Sequence, residues 1–173
     1  MVEIRTDRLL LRPATAADLT AMHAILGNKQ ATAFWSTPPH RDLEQTRSWL
    51  QSMIEIPARE GEDFIVEHDG RVIGKAGLYR FPEIGFILHP GFWGRGLAAE
   101  ALRPVLDRAF LVHGLAAVEA DVDPRNVASL NLLARLGFEE TGRENRTWQV
   151  GERWCDSVYL RLDRPSWRSA SLD

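Results

Sequence analysis

Apolar and polar residues alternate with a period that changes along this chain, and the changes mark its elements. "EIRTDRLLLR" reads as an opening strand, with Ile4 and Leu9 to Leu11 apolar and Pro13 as its stop. Thr15 and Asp18 have capping-box spacing. They precede a helix carrying Leu19, Met22, Ile25 and Leu26 on one face, with Gly27 at its end. A second helix is predicted from Asp42 to Ile56, with a stripe of Leu43, Arg47, Leu50 and Ile54 and with Pro57 closing it. "DFIVEHDGRVIGKAGLYRF" is two β-rich runs around Asp69-Gly70, a dipeptide suited to a type I′ turn because both central residues take positive φ. "PEIGFILHP" adds a third strand, which makes the middle of the chain an antiparallel meander.

The period then lengthens. Leu97 to about Val112 is helical, "AAVEADV" from Ala116 is a buried strand, and Asn126 to Leu136 is a helix ended by Gly137. Strand, helix and strand in succession require a crossover, so a parallel pair joins the antiparallel strands. A hairpin around Gly151 completes an α+β fold, a mostly antiparallel mixed sheet of about six or seven strands with about four helices. Residues 1–165 form a single domain on this reading, and 166–173 a loosely ordered tail.

Composition narrows the chemistry. At 173 residues and 45% hydrophobic, the chain supports one sizeable core. Its longest apolar runs fall far short of the roughly 20 residues that span a bilayer, and charges interrupt the N-terminal hydrophobics, so a cytoplasmic protein is expected. The single cysteine, Cys155, has no internal partner, and the five histidines lack metal-ligand spacing, so no metal is expected. A formal charge of −3 without a basic tract argues against nucleic acid.

"GFWGRGLAAEAL", Gly91 to Leu102, is the motif that carries chemistry. Gly94, Arg95 and Gly96 precede a helix whose first N–H groups are unpaired and sit at the positive end of a dipole, a cradle for phosphate or pyrophosphate. A tight strand-to-helix turn needing glycine only for positive φ explains the same residues. Walker A is absent. Gly94-x-Gly96-x-x-Ala99 formally fits the dinucleotide fingerprint, but five residues separate the strand from Gly94 and only one crossover follows, which disfavours a nicotinamide site.

"WGRGLA", Trp93 to Ala98, resembles the pyrophosphate motif [QR]-x-x-G-x-[GA] of the GCN5-related N-acetyltransferases (GNAT), with Trp93 where Gln or Arg is usual. "NVASLNLLARLGF", Asn126 to Phe138, is similar to a second segment of that family. "RTDRLLLRP", "FWSTPPHRDLEQTRSWL" and "GERWCDSVYL" resemble its RimJ/RimL-like branch, the ribosomal-protein N-terminal acetyltransferases. The resemblance implies acetyl-CoA as co-substrate and a primary amine as acceptor, a protein N-terminus or a small molecule. It implies a slot between splayed strands, with pantetheine along Ile87 and Leu88, and pyrophosphate on the amides of Gly94, Arg95, Gly96, Leu97 and Ala98. Asn126 matches a position that bonds coenzyme A, and is also a natural helix N-cap. Arg95 either charge-pairs a phosphate or is a solvated helix-start residue.

Transfer to an amine needs a base, a polarised carbonyl and a proton for the departing thiolate. Glu83, before the slot, is the first choice for the base, with His89 behind it. Leu133 stands where many family members have an acidic tyrosine, so Ser129 is the candidate that protonates the thiolate. Trp35, Ser36, Trp148 and Trp154 are candidate walls of the acceptor site. A coenzyme A-binding sensor without catalysis is the alternative that Leu133 motivates.

Overall fold

A computed structural model describes residues 2–167. One eight-stranded sheet runs in the order β1-β2-β3-β4-β5-β6-β8-β7. The first five strands, β1 (Ile4–Arg5), β2 (Leu9–Arg12), β3 (Glu62–His68), β4 (Arg71–Arg80) and β5 (Glu83–Leu88), pair antiparallel in succession. β6 (Ala117–Val122) lies parallel to β5, and the long hairpin of β7 (Glu139–Val150) and β8 (Arg153–Asp163) pairs with β6 through β8. Two strands replace the single opening strand expected from sequence. Thr6 folds the chain back between them: its hydroxyl accepts from Leu9 N–H at 3.0 Å and its own N–H donates to Leu9 O at 2.9 Å.

Strand alternation divides the core between two helical layers. Phe64, Val66, Ile84 and Leu88 pack with α3 (Leu97–Leu111) and α4 (Val127–Arg135), whereas Ile65 and Ile87 pack with α1 (Leu19–Leu26) and α2 (Leu43–Ile54). The Thr15–Asp18 capping box forms, with Thr15 N–H donating to Asp18 Oδ2 at 2.7 Å. Asp69 (φ 50°) and Gly70 (φ 72°) make the expected turn between β3 and β4. The stripe expected on α2 is corrected: Leu43 and Ile54 are exposed, and the buried face is Thr46, Leu50 and Met53. The reason is polar, since the Thr46 hydroxyl sits between His23 Nδ1 (2.8 Å) and His40 Nδ1 (2.9 Å), a bridge that hydropathy does not register. The boundary of the loose tail also shifts. Ser166 ends a short 3-10 turn, and the Trp167 indole donates to Asp107 Oδ1 at 2.8 Å beside Phe110, so both residues belong to the folded unit. Residues 168–173 lie outside the described residues.

Two ion-paired carboxylates tie layers together. Burial pushes Glu62 up, but Arg108 and His113 outweigh it and hold its pKa below the usual range; Asp18, buried against Arg12 and the Thr15 amide, is likewise lowered. A carboxylate with a lowered folded pKa adds stability above its unfolded value, near 4, and that stability is lost as pH falls through the folded one. Glu62→Gln is therefore expected to destabilise the protein to urea at neutral pH, with the gap from wild type closing in acid. An unchanged gap would contradict this linkage.

Candidate active site

β5 and β6 meet at a single pair, Glu83 with Glu119, and then part. β5 keeps β4 on its other side through Leu88, and no ladder pair with β6 follows Glu83, so its edge toward β6 opens beyond Ile84. The gap widens into a groove of about 720 Å³, bordered by Ile87, Leu88, Trp93, Gly94, Gly96, Leu97 and Ala98 on one side and by Asn126 and Ser129 of the α4 region on the other. Gly94 (φ 70°) and Gly96 (φ 75°) both take the left-handed conformation. A methyl added to Gly94 would meet nothing within 4 Å. No hydrogen bond among the described residues engages the N–H of Gly94, Arg95, Gly96 or Leu97. Free donors, open space and the positive end of a 15-residue helix fit a pyrophosphate.

The loop is braced from behind by the first hairpin. Arg8 Nη1 donates to Arg95 O at 2.9 Å and Arg8 Nε to Glu100 Oε2 at 2.7 Å, while the Thr6 hydroxyl donates to Glu100 Oε1 at 2.5 Å. Trp93 donates its indole N–H to Leu88 O at 2.9 Å, pinning the loop to the strand end. The Arg95 side chain is exposed and does not border the groove, its guanidinium 5.5 Å above the Phe92 ring, which fits the solvated helix-start alternative.

A second cavity, about 550 Å³, adjoins the groove on the α1/α2 side, and Phe34, Trp35, Phe86, Asn126 and Ser129 border both spaces. Trp35, Ser36 and Trp148, three of the four candidate acceptor-site residues, line it. Trp154 does not: it lies 46% exposed with the Arg146 guanidinium 5.3 Å over its ring. The cavity wall also holds a pair that sequence reasoning missed, Lys75 Nζ to Asp63 Oδ2 at 2.8 Å, with both side chains 3% exposed. Burial pushes the Asp63 carboxyl up despite Lys75. Lys75 also sits over the rings of Trp35 (5.8 Å) and Tyr79 (5.6 Å). A lysine inside the apolar run "VIGKAGL" was the available signal.

The expected base is placed elsewhere. Glu83 takes the Tyr79 hydroxyl on one oxygen and Arg80 Nη2, at 2.6 Å, on the other, and does not line the cavity. Asp121, at a polar position in the strand "AVEADV", does line it. Asp121 is exposed by surface area, but partial desolvation by the surrounding walls raises its pKa and the nearby charges of Glu83 and Glu144 raise it further, against the neighbouring Ser157 hydroxyl. Asn126 caps α4 by accepting the Ser129 N–H at 3.2 Å, and the Ser129 hydroxyl makes no hydrogen bond among the described residues. Leu133 is buried in the core. His89 accepts the Gly91 N–H at 3.0 Å and lines neither space.

Residues 8–139 match the family model described as an acetyltransferase (GNAT) domain. The chain belongs to this family. GNAT members are acetyl-CoA-dependent N-acetyltransferases, and this chain is one. It is similar to the uncharacterised N-acetyltransferase p20 of Bacillus licheniformis, 31% identical over 82% of this chain and 85% of that protein. It is also similar to the L-methionine sulfoximine/L-methionine sulfone acetyltransferase of Pseudomonas aeruginosa, 32% identical over 92% and 97%. Among solved structures, the ribosomal L7/L12 α-N-protein acetyltransferase RimL with coenzyme A superposes with a TM-score of 0.83 over 94% of this chain and 98% of that chain, at 18% identity, a likeness of fold. Among the described residues, no cluster of His, Cys, Asp and Glu has the arrangement of a metal site, and no helix is long and apolar enough to cross a membrane.

Proposed function

We propose that this GNAT enzyme passes acetyl directly to a primary amine held in the smaller cavity, and that Asp121 and Ser129 handle the protons. The observation that carries this reading is the shared border: the groove and the cavity meet at Ser129, Asn126, Phe86, Phe34 and Trp35. Amides along the Gly94 to Ala98 loop hold the pyrophosphate, and the open edge of β5 offers backbone N–H to the carbonyl oxygen as it gains charge. Asp121 takes the first proton from the ammonium form of the acceptor and releases it to solvent. As the N–C bond forms and the C–S bond breaks, the second amine proton reaches the departing thiolate through the Ser129 hydroxyl. Buried Cys155 plays no part, because direct transfer needs no acyl-enzyme. Glu83 acts at one remove, by raising the proton affinity of Asp121.

Fold likeness to RimL supports the RimJ/RimL-like assignment, whereas the Pseudomonas relative is named for two small-molecule substrates. A volume of about 550 Å³ accommodates a small molecule.

Thiol release from acetyl-CoA with a panel of amines tests the reading. Asp121→Asn is expected to lower kcat about 100-fold, within the range of general-base contributions. Because the folded pKa of Asp121 is raised, wild-type kcat/KM falls with decreasing pH through a value above the ordinary 3.9 or so of an aspartate. The variant loses that acidic limb. An unaltered pH profile in Asp121→Asn would remove Asp121 from the role.

A further inference from the structure

Buried side-chain donors in folded proteins are nearly always paired, since an unpaired one forfeits about 1–3 kcal/mol. Three buried side-chain polar atoms lack a partner among the described residues: Trp35 Nε1, Trp148 Nε1 and Thr37 Oγ1. Two of the three are indole N–H groups of residues that wall the acceptor cavity. They come from distant parts of the chain, one between α1 and α2 and the other on β7, so neither is a by-product of the other's local geometry.

The charges around the same cavity are unevenly distributed. Asp63 is neutralised by Lys75, which has two further ammonium hydrogens beyond the one given to Asp63. Asp123 is engaged by Arg125. Asp121 is the cavity carboxylate without a cationic partner. Unpaired donors (Trp35 and Trp148) therefore lie within one part of the wall beside Lys75, while Asp121 and the Ser129 hydroxyl offer a place for an amine. A polyamine or simple alkylamine would satisfy Asp121 and leave both indoles unpaired.

We infer that the acceptor is a small zwitterion of the α-amino-acid type, whose anionic oxygens take hydrogen bonds from Trp35 Nε1 and Trp148 Nε1 while its amine faces Asp121. The inference rests on the assignment of this cavity to the acceptor. Trp49, Met53 and Ile56 on the same wall suit an apolar side chain, and about 550 Å³ accommodates such a molecule. Both indole nitrogens are closed to solvent, so pairing with the acceptor's oxygens requires each ring to turn toward it. Binding therefore changes tryptophan emission.

Three matched acceptors test the inference: L-leucine, L-leucinamide and isopentylamine, which retain, neutralise and delete the carboxylate on one side chain. Spermidine serves as the polyamine. A hydrogen bond to a charged group contributes about 1.5–3 kcal/mol, or roughly 10- to 150-fold. The amino acid is expected to exceed isopentylamine at least tenfold in kcat/KM and to change the emission of the coenzyme A-saturated protein, which isopentylamine does not do. Trp148→Phe, which keeps a ring and deletes the N–H, should raise KM for leucine about tenfold with kcat little changed and leave isopentylamine unaffected. Trp154→Phe, outside the cavity, should change neither. Isopentylamine or spermidine used as well as leucine, or Trp148→Phe acting equally on all four, would overturn the zwitterion while leaving amine transfer intact. Thiol release with none of the four amines, in protein that binds coenzyme A, would overturn the acceptor-site reading and this inference together.

Discussion

Lys75→Ala is expected to lower the free energy of unfolding by about 3–5 kcal/mol, the usual cost of removing one partner from a buried ion pair. Lys75 and Asp63 are each 3% exposed on adjacent strands, and the lysine's charge opposes the burial that pushes the Asp63 carboxyl up. Without it, Asp63 either stays charged and unpaired or takes up a proton. The variant should therefore gain stability relative to wild type as pH is lowered, because protonation discharges the orphaned carboxyl. Lys75→Met with Asp63→Asn removes both charges and should recover most of the loss. Urea unfolding of the single and double variants at neutral and acidic pH measures both effects. A single variant as stable as wild type, or a double variant no better than the single, would show that the pair is not what stabilises this part of the sheet.

The second large effect is on coenzyme A. Gly94→Trp should weaken its binding at least about 100-fold, equivalent to losing one or two charge-assisted hydrogen bonds of about 1.5–3 kcal/mol each. The side chain would project from a position with no protein atom within 4 Å of the added Cβ and fill the groove where the pyrophosphate approaches the loop amides. Holding a residue with a Cβ at φ 70° costs about 1–2 kcal/mol, so the fold should survive. Coenzyme A at about 100 times its Kd stabilises the wild type by about 2.7 kcal/mol, and that increment should vanish in a folded variant. An intact increment would place the pyrophosphate elsewhere.

Most of the architecture is legible along the chain because its determinants are local. Helix caps at Thr15, Asp42 and Asn126, the Asp69-Gly70 turn and the switch from alternating to helical periodicity each act within a few residues. The glycine loop belongs with them, since its left-handed residues and free amides are properties of a six-residue stretch. The two local misreadings share one cause. Thr6 turns the first strand into a hairpin and Thr46 occupies the buried face of α2, in each case because a hydroxyl finds a partner that hydropathy cannot see.

The active site divides along the same physical line. Periodicity, turn chemistry and motif spacing predict the succession of elements, the parallel crossover and the glycine loop at Gly94 to Ala98, because backbone conformation there depends on neighbouring residues. Whether a carboxylate is free, paired or buried depends on side chains far apart in sequence, so only the folded chain assigns those roles. Glu83 is captured by Tyr79 and Arg80, Asp121 is left open in the cavity, and Lys75 is buried against Asp63. Tryptophan shows the same limit. Trp35, Trp148 and Trp154 are equivalent as letters, but long-range packing puts two of them on the cavity wall with unpaired N–H groups and leaves the third exposed.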